Sequence, residues 1–121
     1  MVKIDRINIS NEGLTKFFSP IEAQIMEVLW EHDEMMTAEI TKMTAIPLSS
    51  VAGTLDRLVK ADFVQRRVEH QGSRVRYVYS ATSTAEKAAS AITTRILDSL
   101  VETFGAVAVE NFSKYKGKGK D

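Results

Sequence analysis

The sequence predicts an α+β chain that is mostly helical. Apolar residues recur at helical spacing behind recognisable N-caps along most of its length. One stretch, residues 64–80, instead alternates with period two around a glycine-containing turn. No window reaches the apolar length of a membrane span.

Residues 1–18 hold Ile4, Ile7, Ile9 and Leu14 without a clean period. They read as an arm, with a short strand or a turn of helix, that packs on the rest. Ser19-Pro20-Ile21-Glu22 then starts a helix. Ser19 is the N-cap, Pro20 suits the first helical position and Glu22 completes a capping box. Ile21, Ile25, Val28 and Leu29 form one stripe, and Met26 and Trp30 widen it, up to an end near His32-Asp33. Thr37 reads as a second N-cap, opening a short helix over about 37–44 with Ala38, Ile40 and Met43 inward. Ile46-Pro47 breaks it, because the residue before proline is pushed out of the α region.

A third helix opens around Pro47–Ser49 and runs to about Ala61. Val51, Leu55, Leu58 and Val59 point inward, while Ser50, Gly53, Thr54, Arg57 and Lys60 make the opposite face. Two strands follow, with Val64, Arg66, Val68 and His70 alternating in the first and Val75, Tyr77 and Tyr79 in the second. Gln71-Gly72-Ser73-Arg74 reads as the hairpin turn between them. Thr84 caps a fourth helix, whose stripe is Ala85, Ala88, Ala89, Ile92, Ile96, Leu100 and Phe104. Gly105 interrupts it, and Ala106–Tyr115 makes a last short helix before a basic, Gly-rich tail.

Composition narrows the function. Of 121 residues, 44% are hydrophobic, which suits one globular core and argues against wholesale disorder. Sixteen Lys and Arg balance sixteen Asp and Glu, so the chain as a whole is neither polycationic nor polyanionic. The charge is nonetheless sorted. Residues 19–39 carry six acids and no Lys or Arg, whereas residues 57–76 carry six bases and two acids. There is no cysteine, which excludes disulfides, zinc ribbons and thiolate nucleophiles. His32-Asp33-Glu34 is the one metal-capable trio, but two histidines in the whole chain make a solvated loop the better reading. No catalytic triad, phosphate-binding glycine loop or paired carboxylates stand out, so no catalytic residue, metal or cofactor is expected and the chain reads as a non-enzyme. The start of the chain lacks the apolar stretch of a signal peptide, and the expected location is cytoplasmic.

Helix, short helix, helix, two-stranded hairpin is the order of a winged helix-turn-helix. In that arrangement the third helix can enter the roughly 12 Å major groove of DNA and the hairpin forms a wing beside it. The basic segment falls on the third helix and the wing, and the acidic segment on the first helix. Their separation favours a DNA-binding surface over a solvated face.

Several stretches resemble the penicillinase repressor family. Residues 19–31, ending Val28-Leu29-Trp30-Glu31, resemble its first helix, and Thr37-Ala38-Glu39-Ile40 its second. Ser49-Ser50-Val51-Ala52-Gly53-Thr54-Leu55-Asp56-Arg57-Leu58-Val59-Lys60 resembles its recognition helix. Tyr77-Val78-Tyr79 resembles the close of its wing, and Ile96 to Gly105 its dimerisation helix. MarR-type and TrmB-type winged helices share much of this pattern. Where the family usually has glycine after the recognition helix, this chain has Asp62. Copper-responsive members carry a C-terminal cysteine motif that is missing here. Members responding to β-lactams are cut at an Asn-Phe bond in the dimerisation region, and Asn111-Phe112 sits in a comparable place.

The resulting expectation is a homodimeric, sequence-specific DNA-binding regulator, a repressor on a palindromic operator. The alternative is a winged helix used for protein–protein contact. The DNA-binding residues expected are Ser49, Ser50, Gly53, Thr54, Arg57, Lys60, Arg66, Arg67, Gln71, Ser73, Arg74 and Arg76. The dimerisation residues expected are Ala85, Ala89, Ile92, Ile96, Leu100 and Phe104. The expected organisation is an arm (1–18), a winged-helix domain (19–81), a helical dimerisation region (82–113) and a flexible basic tail (114–121). Double-stranded DNA and a second copy are the expected partners, with no membrane and no effector identified.

Overall fold

Ser19 Oγ accepts the Glu22 backbone N–H at 3.2 Å, while Ser19 N–H donates to Glu22 Oε1 at 2.8 Å. This capping box opens helix α1, Pro20–Glu31, in a computed structural model that describes residues 2–4 and 6–117. Ahead of it, the arm makes a single 3-10 turn at Gly13–Lys16. Lys3 N–H donates to the Ala61 carbonyl at 3.1 Å, which ties the arm to the end of the third helix.

Helix α2 spans Thr37–Thr44, and its N-cap is Met36 rather than Thr37. Glu39 Oε1 accepts the Met36 N–H at 2.8 Å, the carboxylate half of a capping box, and among the described residues no side chain caps the first-turn N–H groups that the threonine was expected to bond. Of the three residues expected inward, only Ile40 is buried; Ala38 and Met43 are exposed, because eight residues give one core contact row. Ala45 ends α2 in the left-handed region at φ 61°. This is a position glycine normally takes.

Helix α3 spans Leu48–Lys60 and buries Val51, Thr54, Leu55 and Leu58. Asp62, at φ 68°, makes a left-handed exit where the resembled family usually has glycine, and Phe63 N–H donates to the Leu58 carbonyl at 3.0 Å. Strands β1, Val64–Gln71, and β2, Arg74–Ala81, pair antiparallel from Val64 against Ala81 to Gln71 against Arg74. Between the last pair only Gly72 and Ser73 turn the chain. Gly72 has φ 63° and Ser73 is not in the positive region, as in a hairpin turn of type II′. Met35 adds a one-residue third strand, exchanging both backbone hydrogen bonds with Tyr79 at 2.9 and 2.8 Å. No periodicity announces so short a contact.

Ile25, Met26, Leu29, Ile40, Val51, Leu55, Leu58 and Val64 form the centre of one core between the three helices and the base of the hairpin. Phe18 and Phe63 close one end of it, edge to face at 4.8 Å. This is a winged helix-turn-helix.

Helix α4 spans Ala85–Phe104 behind the Thr84 cap, and α5 spans Ala106–Lys114 after Gly105. The first half of α4 packs on the winged helix through Ala88 and Ile92. Ile96 packs against the same core, and beyond it the stripe runs on to Phe104, which is exposed. Of the expected basic tail, residues 118–121 lie outside the described residues. No helix among the described residues is long and apolar enough to cross a membrane.

Candidate nucleic-acid interface

The helical wheel of α3 decides which of its side chains can face a ligand. Val51, Leu55 and Leu58 are anchored in the core, and Thr54 lies three residues after the first and four before the last. It is therefore inside the buried stripe, at 1% exposure. Thr54 was expected on the outer face and is corrected to the core. Its hydroxyl accepts Arg57 Nη2 at 3.1 Å, so it positions that arginine from below. Ser50 is half-buried beside it. The outward face is instead Leu48, Ser49, Ala52, Gly53, Asp56, Arg57 and Lys60, all exposed. Leu48, at 55% exposure, is the residue the sequence reading missed. It opens the helix directly after Pro47, and an exposed leucine there had no counterpart in the expected stripe.

Gly53 has neither positive φ nor crowding to explain it. A Cβ built there would meet only Arg57 Nη1, at an ordinary 3.9 Å. Close packing within the chain is thereby removed as its cause.

The cations divide into two groups. Arg67 donates from Nε and Nη2 to both carboxylate oxygens of Glu34, at 3.1 and 2.8 Å, and from Nη2 to Glu69 at 3.0 Å. Arg76 Nη2 donates to the other Glu69 oxygen at 3.2 Å. Two arginines and two glutamates thus form one neutral chain across the sheet. Arg67 and Arg76 were expected on DNA; the structure spends them internally, because Met35 brings Glu34 alongside the hairpin. The hydrogen bond from Arg67 holds the Glu69 carboxyl below its ordinary value against the opposing desolvation, and the charge of Arg67 and then the Arg76 hydrogen bond add to the lowering. The same Glu34 and Glu69 bonds push Arg67 up.

The second group stays at the surface. Arg74 is exposed at the wing tip beside Gln71 and Ser73. Arg66 lies over the Tyr77 ring at 4.8 Å. Lys60 pairs with Asp56 at 3.2 Å, an exposed contact worth little. Arg57 Nε is 3.8 Å from Glu22 Oε2. Charge sorted along the chain is consequently less sorted in space: Glu22 and Glu34, both from the acidic segment, reach into the basic one.

The expected dimerisation residues also divide. Ile92, at 7% exposure, belongs to the chain's own core, and Ile96 packs against it. Ala85 and Ala89 are exposed. Phe104 at 63% and Val107 at 60% are the most exposed apolar side chains of α4 and α5. Together with Leu100, Ala108, Asn111 and Phe112 they line an apolar groove of about 300 Å³. The Asn111-Phe112 bond lies within α5. Among the described residues no cluster of three or more His, Cys, Asp or Glu could hold a metal ion.

The sequence profile of one family, described as penicillinase repressor, matches residues 18–121. None of the curated proteins matches the chain in sequence. Among solved structures it is similar to a possible transcriptional regulator from Methanosarcina mazei Go1, with a TM-score of 0.63 and 16% identity over 83% of this chain and 81% of that one. It is also similar to PadR from Bacillus subtilis, solved in complex with operator DNA: TM-score 0.52, 18% identity, 58% of this chain and 44% of that one. A transcriptional regulator homologue from Pyrococcus horikoshii OT3 gives a TM-score of 0.52 and 19% identity, over 68% of this chain and 84% of that one. At these identities the structures show the fold.

Proposed function

The chain belongs to the penicillinase repressor family of DNA-binding transcriptional regulators, and from that premise we propose that it is a homodimeric repressor of a palindromic operator. α3 enters the major groove and the wing lies on the adjacent backbone or minor groove. The observation that carries this reading is the outward face of α3. It is small and uncharged from Ser49 to Gly53, without a packing reason for the glycine, and its far end is cationic. Small residues let a helix approach base edges, while cations further along meet phosphate. That PadR was solved on operator DNA supports the same use of the shared fold here.

Within this reading Leu48 offers an apolar contact to a thymine methyl, and Ser49, Ser50 and Gly53 lie along the groove. Arg57 and Lys60, with Gln71, Ser73, Arg74 and Arg66 on the wing, hold the backbone. The exposed apolar groove of α4 and α5 pairs with a second copy. A two-fold dimer spaces its recognition helices about one DNA turn, roughly 34 Å, apart, hence the palindrome.

Binding-site selection on wild type and three variants tests the assignment. Arg74→Ala should weaken binding to all sequences alike, whereas Leu48→Ala or Ser49→Ala should alter the selected sequence. A uniform loss from all three would reject α3 as the reading element.

A further inference from the structure

A cleft of about 570 Å³ opens between the arm, the start of α1 and the end of α3. Five cations line it: Lys3, Arg6 and Lys16 from the arm, Arg57 and Lys60 from α3. Among the described residues the one acid on its wall, Glu22, already accepts its own cap N–H and faces Arg57. The floor is apolar, made by Phe17 and Phe18 from the arm and Leu58 and Phe63 from the core. Lys16 is half-buried in the wall, where its ammonium donates to the Asn11 carbonyl. Ser19, Pro20 and Glu22, at the N-terminus of α1, line the same space.

Volume and chemistry both suit a small molecule. Among the described residues five cations, of which Lys60 is paired with Asp56, face one carboxylate and favour an anion, and a lining with three phenyl rings favours an apolar body. A DNA backbone would satisfy the cations but has nothing to place on that floor. The arm forms one wall, and the family profile begins at residue 18, so that wall, though not the α1 and α3 side of the cleft, lies outside the matched range. We infer that this cleft binds a small amphipathic organic anion, an acid group carried on an aromatic or acyl body. Its acid group sits among Arg6, Lys16 and Arg57, and its body on Phe17 and Phe18. An occupant there engages Arg57 and so weakens DNA binding. That coupling rests on the proposed DNA face; the site itself does not.

The test is a titration of the full ¹⁵N-labelled chain, without DNA, followed by backbone amide shifts. The probes are naphthalene-2-sulfonate, inorganic phosphate and naphthylmethylammonium. The sulfonate should give saturable shifts at residues 6–18 and 57–63 at concentrations up to about 5 mM, the weak end of small-ligand affinity. Phosphate should bind about tenfold more weakly for lack of an apolar body, and the ammonium should not bind there. Arg6→Glu, at an exposed position, and Lys16→Glu should each lower sulfonate affinity about tenfold with far-ultraviolet dichroism unchanged. Absence of saturable shifts at the arm, shifts confined to residues 100–112, phosphate binding as tightly as the sulfonate, or indifference to Arg6→Glu would each overturn the site. In a second arm, saturating sulfonate is added to a DNA complex. Weakened DNA binding supports the coupling, whereas unchanged binding with the amide shifts intact removes the coupling and leaves the site standing.

Discussion

Gly53→Ala should make the protein more stable and a poorer DNA binder. Glycine inside a helix is about 1 kcal/mol less favourable than alanine, and position 53 lies in the middle of α3. The new methyl group finds room, since its nearest neighbour would be Arg57 Nη1 at 3.9 Å. The full propensity gain of about 1 kcal/mol is therefore retained, a rise in Tm of about 4 °C for a chain of this length. On the DNA side the same methyl stands on the exposed face, between the helix backbone and the floor of the groove. Losing about 1.4 kcal/mol of close contact there lowers affinity about tenfold. Urea denaturation gives the first quantity and fluorescence anisotropy with a labelled duplex the second. Opposite signs in the two assays cannot come from damage to the fold. A variant that is stabilised yet binds DNA as wild type would refute close approach at Gly53. A destabilised variant would refute the open space around it.

Ala45 at φ 61° should welcome glycine: Ala45→Gly is expected to stabilise by about 0.5–1 kcal/mol, the relief of left-handed strain less the added freedom of the unfolded chain, read from a denaturant midpoint. The Glu69 carboxyl is held below its ordinary value near 4.5, so its contribution is fully present above that pH and fades as acid protonates it in the folded state. An NMR titration of Glu69 should therefore show a depressed midpoint that returns toward the ordinary value in Arg67→Gln; a midpoint unchanged by that substitution would contradict the ion chain. Phe104→Glu places a charge on the exposed groove of α4 and α5 and should shift sedimentation toward a single chain of 13.5 kDa, with the winged helix still folded. A wild type already sedimenting as a monomer would end the dimer reading.

Local chemistry made most of the fold legible. The Ser19 capping box, the Pro47 break, the Gly72 turn and the Thr84 cap each act within a few residues, so their geometry is written in adjacent letters. The left-handed exit at Asp62 is of the same kind. What stayed hidden depends on partners distant in sequence. The bond between Arg67 and Glu34 spans 33 positions, and it turned an expected phosphate contact into an internal one. Arg57 meets Glu22 only because α1 packs on α3. The placement of Thr54 was recoverable from its spacing to Val51 and Leu58; its hydroxyl, read as a surface group, outweighed the geometry. Along α4 a single stripe serves two surfaces, and no periodicity marks the point where Ile92 stops packing inward and Phe104 starts facing solvent.

The claim at the centre is that this face binds DNA through cations and small groups together. Anisotropy of a labelled duplex from the region upstream of the protein's own coding sequence, titrated at several salt concentrations, tests it most directly. The account predicts binding at low salt that outlasts competition by unrelated duplex. It also predicts a log–log salt slope whose magnitude falls by about one in Arg74→Ala. No binding at low salt, or binding indifferent to salt, would contradict it.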